Sequence, residues 1–252
     1  MLFSHSAFVG LDPTSGRKPF TYAALDADGK LLALAAGELD EVLAFVSGQQ
    51  AATVAVNAPP RPNLGLVRRK LEKQSLTPGH LRGADARMAE YDLRQRGIVV
   101  SATPSRAELC PEWIQLGFDL HRQLEKMGFK SFPAREGKYQ VLETHPHAAF
   151  CVLLGQMPLP KPTLEGRLQR QLVLHERVLG IKDPMEFFEE ITRFRLLKGI
   201  LPLEFVYAAE ELDALIAAYV AYLAANKPGD VSLVGAKEEG RIVLPGEVKE
   251  KY

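Results

Sequence analysis

“ELDALIAAYVAYLAA”, residues 211–225, is apolar on nearly every side of the helix that its composition predicts. A helix of this kind is buried all round, and this apolar run is too short to span a bilayer, which takes about 20 residues. Asp213 stands in the predicted first turn, and a buried carboxylate is costly unless a positive partner meets it. The first question that the sequence raises is therefore what Asp213 contacts.

The composition is that of an ordinary globular protein. The chain has 252 residues, of which 46% are hydrophobic and 25% charged, enough to bury a sizeable core. Lys plus Arg equals Asp plus Glu at 31 each, so contact with a polyanion requires a local patch. Cys110 and Cys151 have neither metal-ligand spacing nor a disulfide framework, and no signal-peptide pattern opens the chain. We expect a cytoplasmic protein without a membrane partner.

The first sixty residues predict a sheet of mixed direction. “SAFVGLD” is typical of a buried strand, and “FTYAALDADGKLLALAAG” indicates a hairpin around Asp28 and Gly29. “ELDEVLAFVSG” has helical spacing, and “ATVAVNAPP” is typical of a further buried strand. The succession of strand, hairpin, helix and strand favours an α/β fold.

The rest of the chain adds helices to this beginning. Residues 61–138 are rich in basic and turn-forming residues with helical patches, and “KYQVLETHPHAAFCVLLG” predicts a strand followed by a helix. Two amphipathic helices and the apolar helix follow, and “EEGRIVLPGE” predicts a short closing strand. No internal repeat or low-complexity linker separates these segments. We therefore predict one domain over residues 1–252 with a mainly helical insertion at about 61–138.

Acidic residues stand where ligands collect in such folds. Asp12 ends the first predicted strand, Glu143 ends a later one, and Asp213 begins the late helix. Ligands of open α/β sheets bind at the carboxyl ends of strands, and carboxylates gathered there repel one another unless a cation neutralises them. Mg²⁺ and Mn²⁺ prefer such oxygen ligands, so the pattern predicts that Asp213 meets a metal ion.

Several strings together resemble the DUF429 family, which comprises uncharacterised proteins thought to be nucleases with a ribonuclease H-like fold. They run from about Val9 to Pro245 and include “VGLD”, “VAVNAPP”, “LETHPHAAF”, “LEGRLQRQL”, “ELDALIAAYVAY” and “EEGRIVLP”. The resemblance implies a ribonuclease H-like α/β fold with a five-stranded mixed sheet in the order 3-2-1-4-5. It also implies helices on both faces of that sheet.

The resemblance also implies a set of catalytic and metal-binding residues. Asp12, Glu143 and Asp213 match the acidic positions that hold Mg²⁺ or Mn²⁺ in such enzymes, which hydrolyse nucleic-acid phosphodiester bonds. Asn57 stands where many relatives have an aspartate, and it offers a carbonyl oxygen without charge. This loss of a carboxylate weakens the attraction for a dication and leaves open whether one metal binds or two.

Basic residues are needed to hold the substrate phosphate. Arg167 and Arg170 are three residues apart, so they share one helix face, and Arg87 is a further candidate. Glu239 is either an accessory acid or part of a solvated loop. His145 is either an accessory residue of the site or only a cap over it. His145 and His147 together lack an evident third ligand for a histidine metal centre.

Simpler interpretations of the three acids remain open. Asp12 is also typical of a turn, because “DPTSG” follows the strand closely. Asp213 is also placed to complement a helix dipole from the first turn. Glu143 is equally compatible with an ion pair to a structural arginine.

Two other functions compete with a nuclease. “GLDPTSG” loosely resembles the phosphate loop of actin-like and sugar-kinase-like phosphotransferases, although Pro13 replaces the glycine of that loop. A non-catalytic protein that binds nucleic acid or another partner on the same fold is the second alternative, which Asn57 and the zero net charge favour.

Overall fold

The computed structural model describes residues 6–13, 20–74, 83–134 and 137–252. In these residues eight strands, named β1 to β8 in chain order, are Ser6–Asp12, Phe20–Leu25, Leu31–Gly37, Ala51–Val56, Lys130–Ser131, Tyr139–Thr144, Val231–Val234 and Ile242–Pro245. The α-helices, α1 to α9, are Leu39–Ser47, Leu66–Gln74, Met88–Gln95, Glu112–Lys126, Pro146–Leu154, Leu164–His175, Met185–Glu189, Arg193–Leu197 and Ala209–Asn226. The segment 61–138, expected to be mainly helical, contains α2, α3, α4 and the two-residue β5.

The strands form one mixed sheet in the order β3-β2-β1-β4-β6-β8-β7, and β5 pairs with β6 outside this path. β1, β4, β6 and β8 run parallel to their neighbours in this series, whereas β2, β3 and β7 join by antiparallel pairing. The expected sheet of five strands was wrong, because β5, β7 and β8 extend it. These strands have only two to four residues, too few to show a period-two pattern in the sequence.

The predicted hairpin is confirmed. β2 and β3 pair antiparallel, and Gly29 lies in the turn between them. The side chain of Asp26 holds this turn, since its Oδ1 accepts hydrogen bonds from the backbone N–H groups of Asp28 and Lys30 at 2.9 Å each.

Helices cover both faces of the sheet, as predicted. One face packs against α9, α5 and α6 around the larger core cluster, and the other packs against α1 and α4 around a second cluster. No helix in the described part of the chain has the length and apolar character that crossing a lipid bilayer requires.

β1 and α9 approach each other very closely. Leu212 to Ala218 of α9 are all buried, and Gly10 of β1 lies directly under them. A Cβ atom added to Gly10 would lie 2.1 Å from the carbonyl oxygen of Ala214 and 2.2 Å from the backbone nitrogen of Ala218. The two backbones therefore touch, and the small residues of the apolar segment make that approach possible.

We predict that Gly10→Ala lowers the free energy of unfolding by at least about 3 kcal/mol, because a methyl group placed against helix backbone has no flexible side chain to displace. Gly229→Ala is the matched control, since a Cβ at Gly229 meets nothing within 4 Å and the backbone there is not left-handed. Urea denaturation of the two variants tests this, and equal midpoints would contradict it.

Candidate functional site

Asp12 and Asn57 meet at the carboxyl ends of two parallel strands. Asp12 is the last residue of β1 and is fully buried, and Asn57 follows β4 directly. The backbone N–H of Asn57 donates to the carbonyl of Leu11 at 2.8 Å, and its side-chain Nδ2 donates to Oδ1 of Asp12 at 2.9 Å. Asp12 is therefore held in a buried polar site at the end of β1, directly before the turn at Pro13. Residues 14–16, the last three of the suggested phosphate loop, lie outside the described residues.

Asp213 belongs to the second turn of α9, because that helix begins at Ala209. The expectation of a first-turn acid was wrong, since the first turn contains Glu210 and Glu211 instead. Glu211 accepts a hydrogen bond from the backbone N–H of Ala208 at 2.7 Å and so caps the helix start. Asp213 therefore lies in the core, away from the helix end, and is only 5% exposed.

The positive group that meets Asp213 is Lys161. Its Nζ lies 2.5 Å from Oδ2 of Asp213, and its side chain is 39% exposed. Sequence reasoning missed this residue, because it lies in the loop between α5 and α6, where no helix or strand period marks it. The only signal is its position between Pro160 and Pro162, which restrict the backbone at that point.

The site is electrostatically coupled. Burial raises the pKa of Asp213 to about 7, and the negative charge of Asp12 adds to this rise while Lys161 opposes it. Burial alone would lower the pKa of the Lys161 ammonium, but the nearby carboxylates of Asp213 and Asp12 outweigh it and hold that pKa above its ordinary value. Two acids from opposite ends of the chain and one lysine thus lie close together in a partly buried site.

Glu143 lies on the other face of the sheet from these acids. It pairs in register with Val56, whose side chain belongs to the core under α1 and α4. Gly10, two residues before Asp12, faces α9 instead. Because side chains alternate along a strand, Glu143 and Asp12 leave the sheet in opposite directions.

Arg87 is the partner of Glu143. Its Nη1 and Nη2 donate to the two carboxylate oxygens of Glu143 at 2.8 and 2.5 Å, and its Nε donates to Oε1 of Glu90 at 2.8 Å. The Arg87 residue is 1% exposed. Burial raises the pKa of Glu143, and the Arg87 guanidinium opposes that rise. Arg87, considered a phosphate ligand from sequence, is thus buried in an ion pair with an expected catalytic acid.

Glu239 connects the loop before β8 to the α2–α3 region through hydrogen bonds. The residue is fully buried, so the solvated loop considered from sequence was wrong. Its carboxylate accepts hydrogen bonds from the backbone N–H groups of Leu64 at 2.9 Å and Met88 at 2.8 Å, and its carbonyl accepts one from Arg87 at 3.2 Å. Its observed role is to satisfy backbone donors at the start of two helices.

His145 caps α5, a role that differs from the cap of the site considered from the sequence. Its Nδ1 accepts a hydrogen bond from the backbone N–H of Ala148 at 3.2 Å, which places the ring proton on Nε2. Burial lowers the pKa of His145 to about 3, and the nearby His147 and Arg87 lower it further. Within the described ranges, no three His, Cys, Asp or Glu side chains form a group suited to a metal ion.

The two arginines of α6 differ in what they contact. Arg170 is buried and its Nη1 donates to the carbonyls of Leu159 and Gly166 at 2.9 and 2.8 Å, with its guanidinium over the ring of Phe150. Arg167 is half-buried, and its Nε has no hydrogen-bond partner among the residues that the structure describes. Of the two, Arg170 is the one that interacts electrostatically with Asp213, and the Nε of Arg167 is enclosed by the protein.

The fold and the site define an α/β protein with a buried polar site at the carboxyl edge of a mixed sheet. The family model DUF429, described as a protein of unknown function, matches residues 10–239, and the chain belongs to this family. The resemblance seen in the sequence is thereby confirmed, and the match includes the three acids and Asn57. A search of curated proteins and a search of solved structures found no match.

We predict that Arg87→Met lowers the free energy of unfolding by about 3–5 kcal/mol, because the carboxylates of Glu143 and Glu90 are then buried without their positive partner. Arg68→Met is the control, since Arg68 and Asp85 form a pair whose side chains are 58% and 74% exposed, and its loss costs less than about 1 kcal/mol.

Urea denaturation measures both effects, and the double variant Arg87→Met/Glu143→Gln should recover part of the lost stability. An Arg87→Met variant as stable as Arg68→Met would show that the buried pair does not hold β6 to α3.

We predict that wild type loses stability relative to Asp213→Asn as the pH rises from 5 to 8. The folded-state pKa of about 7 lies above the ordinary value, so the contribution of Asp213 is fully present below about pH 4 and disappears as the pH passes 7. The amide does not titrate, and the difference in unfolding free energy should change by on the order of 3 kcal/mol. Denaturation at several pH values measures it. A difference that stays constant, or that changes in the opposite direction, would contradict the assignment.

Proposed function

We propose that the protein is a divalent-metal-dependent phosphodiesterase with a ribonuclease H-like fold, acting on nucleic-acid phosphodiester bonds. The observation that carries this proposal is the meeting of Asp12 and Asp213, two buried carboxylates that are about 200 positions apart in the chain. The strand order β3-β2-β1-β4-β6, with β2 antiparallel to β1, supports the proposed fold because it follows the 3-2-1-4-5 succession implied by the family.

The donor atoms at this site fit one hard cation. Asp12 and Asp213 offer carboxylate oxygens, the ligands that Mg²⁺ and Mn²⁺ prefer, and Asn57 would add its amide oxygen after rotation of the amide that now donates to Asp12. Glu143 is held by Arg87 on the other face of the sheet, so this set lacks the further carboxylate that a second ion would need. A dication bound by these residues would polarise the phosphoryl group and activate a water molecule.

The remaining residues of the site have supporting roles in this proposal. The Lys161 ammonium is partly exposed beside the acids and supplies a positive charge for a phosphate oxygen. Arg170 adds a second positive charge near Asp213, and Arg167 stays a predicted phosphate ligand. Arg87 and Glu143 position the ends of β6 and of the loop before β8 without contacting the substrate.

One observation favours a non-catalytic alternative. Lys161 already neutralises Asp213 at 2.5 Å, and only two acids and an amide share the site. In this alternative the ammonium takes the place of the metal ion, and the fold serves to recognise a nucleic acid or another partner without cleaving it.

We predict that Mn²⁺ binds wild type with one equivalent and that Asp12→Asn and Asp213→Asn each weaken this binding at least tenfold. Glu143→Gln should retain it, because that residue faces away from the site. Lys161→Met should bind Mn²⁺ more tightly, since the ammonium competes with the ion for Asp213. Calorimetric titration measures the affinities, and circular dichroism verifies that each variant is folded.

Cleavage of single-stranded and double-stranded DNA and RNA with Mn²⁺ then tests the activity. Absence of Mn²⁺ binding at millimolar concentration, or binding that neither aspartate variant changes, would reject the metal-dependent enzyme in favour of the recognition protein.

A further inference from the structure

A second polar cavity lies on the α4 side of the sheet, where two strands diverge from β6. β5 pairs with β6 at Gln140 and Val141, and β8 pairs with it only at Glu143 and Thr144. A cavity of about 280 Å³ is found at this divergence. It is larger than the cavity of about 40 Å³ that borders Asn57, and Glu143 lines both.

Three basic side chains line the larger cavity. Arg61 comes from the loop after β4, and Lys237 and Arg241 come from the loop before β8. Among the residues that the structure describes, Lys237 and Arg241 have no hydrogen-bond or ion-pair partner, and Arg61 has one long hydrogen bond, to the carbonyl of Glu238 at 3.4 Å. The cavity thus gathers unpaired positive charge in a protein whose net charge is zero.

The acid in the cavity wall does not cancel this charge. Both carboxylate oxygens of Glu143 accept hydrogen bonds from Arg87, so this carboxylate already has a positive partner. His121 lies in the wall as a neutral ring, because burial lowers its pKa to about 4 and its Nε2 lies 3.2 Å from the carbonyl of Ala58. The cavity is therefore lined by three basic side chains and one carboxylate that is already bonded to Arg87, and an anion is the ligand that this lining favours.

The two loops that carry the basic residues pack tightly against each other. Gly240 has a φ of 90°, and a Cβ there would lie 2.6 Å from Cγ of Pro60, so the loops approach as closely as glycine allows. The buried carboxylate of Glu239 ties the same loop to the backbone of Leu64 and Met88. The backbones that carry Arg61, Lys237 and Arg241 are consequently held in place before a ligand arrives, which lowers the entropy cost of binding.

The opposite wall of the cavity is apolar. It is formed by Phe132 and Pro133 after β5, together with Val141 of β6. An aromatic ring beside positive charges suits a sugar or base attached to a phosphate. The volume lies just below that of pockets for drug-sized ligands, about 300–1,000 Å³, so a mononucleotide-sized group fills it.

We propose that this cavity binds a phosphate group through Arg61, Lys237 and Arg241, with Phe132 beside any sugar or base attached to that phosphate. The site uses no residue of the Asp12–Asp213 pair and needs no metal ion, so it does not depend on the proposed activity. The phosphate can belong to free orthophosphate, to a mononucleotide or to the end of an oligonucleotide, and the test separates these sources.

The test is calorimetric titration in EDTA with three probes: orthophosphate, adenosine 5′-monophosphate and a 5′-phosphorylated tetranucleotide. We expect at least one probe to bind wild type, and Lys237→Ala/Arg241→Ala to weaken that binding at least tenfold. Lys126→Ala/Lys251→Ala, which removes the same charge from exposed positions outside the cavity, should leave the affinity within twofold of wild type. The tightest probe identifies the source of the phosphate.

Two results would overturn the proposal. One is the absence of binding by all three probes at millimolar concentration. The other is an equal loss of affinity in both double variants, which would show a general charge effect. Because EDTA removes metal ions, failure of the proposed metal site would leave binding in this cavity unchanged, and the two proposals fail separately.

Discussion

The contact between β1 and α9 sets the position of the whole carboxyl edge of the sheet. Gly10 admits the backbone of α9 to within direct contact of the strand, with Ala214 and Ala218 against it. This approach places Asp213 one turn into the helix and close to Asp12 at the end of β1. A larger residue at any of these small positions would separate the two elements and therefore the two acids. Packing of uncharged residues thus determines the electrostatics of the site.

Charge at the carboxyl edge is divided between the two faces of the sheet. On the α9 face, burial together with the charge of Asp12 raises the pKa of Asp213, and Lys161 and Arg170 oppose that rise. On the α4 face, Arg87 is bonded to Glu143, and three basic side chains line the larger cavity. A chain with zero net charge therefore presents two buried carboxylates on one face of the sheet and a cluster of basic side chains on the other.

The sequence predicted the elements whose patterns are long or strongly apolar. The first strand, the hairpin at Asp28 and Gly29, the mixed sheet and the burial of Asp213 followed from periodicity and composition, and the helices on both faces followed from the resemblance to DUF429. The short strands β5 and β7 did not, because two and four residues carry no usable period. Contacts between side chains that are far apart in the sequence could not be predicted either. Nothing local in the sequence connects Lys161 with Asp213 or Arg87 with Glu143, since each pair is more than fifty positions apart.

The same dependence on distant contacts explains why the positions of some site residues in the sheet could be predicted and those of others could not. Residues at strand ends, such as Asp12 and Asn57, follow from the element boundaries alone. The face on which Glu143 emerges depends on register, and a register is visible only once β4 and β6 are paired. Glu239 looked like a solvated loop residue because the backbone groups that it satisfies belong to a segment about 150–175 positions away.

The late position of α9 in the chain has a consequence for synthesis. β1 and β2 lie within the first 25 residues, whereas the helix that covers them ends at Asn226. A ribosome adding about 5–20 residues per second needs roughly 10–40 s to bridge that interval, and during this time the apolar face of the early strands has no covering helix. The residues that β1 and β2 turn toward α9 therefore stay uncovered on the ribosome until α9 has been synthesised.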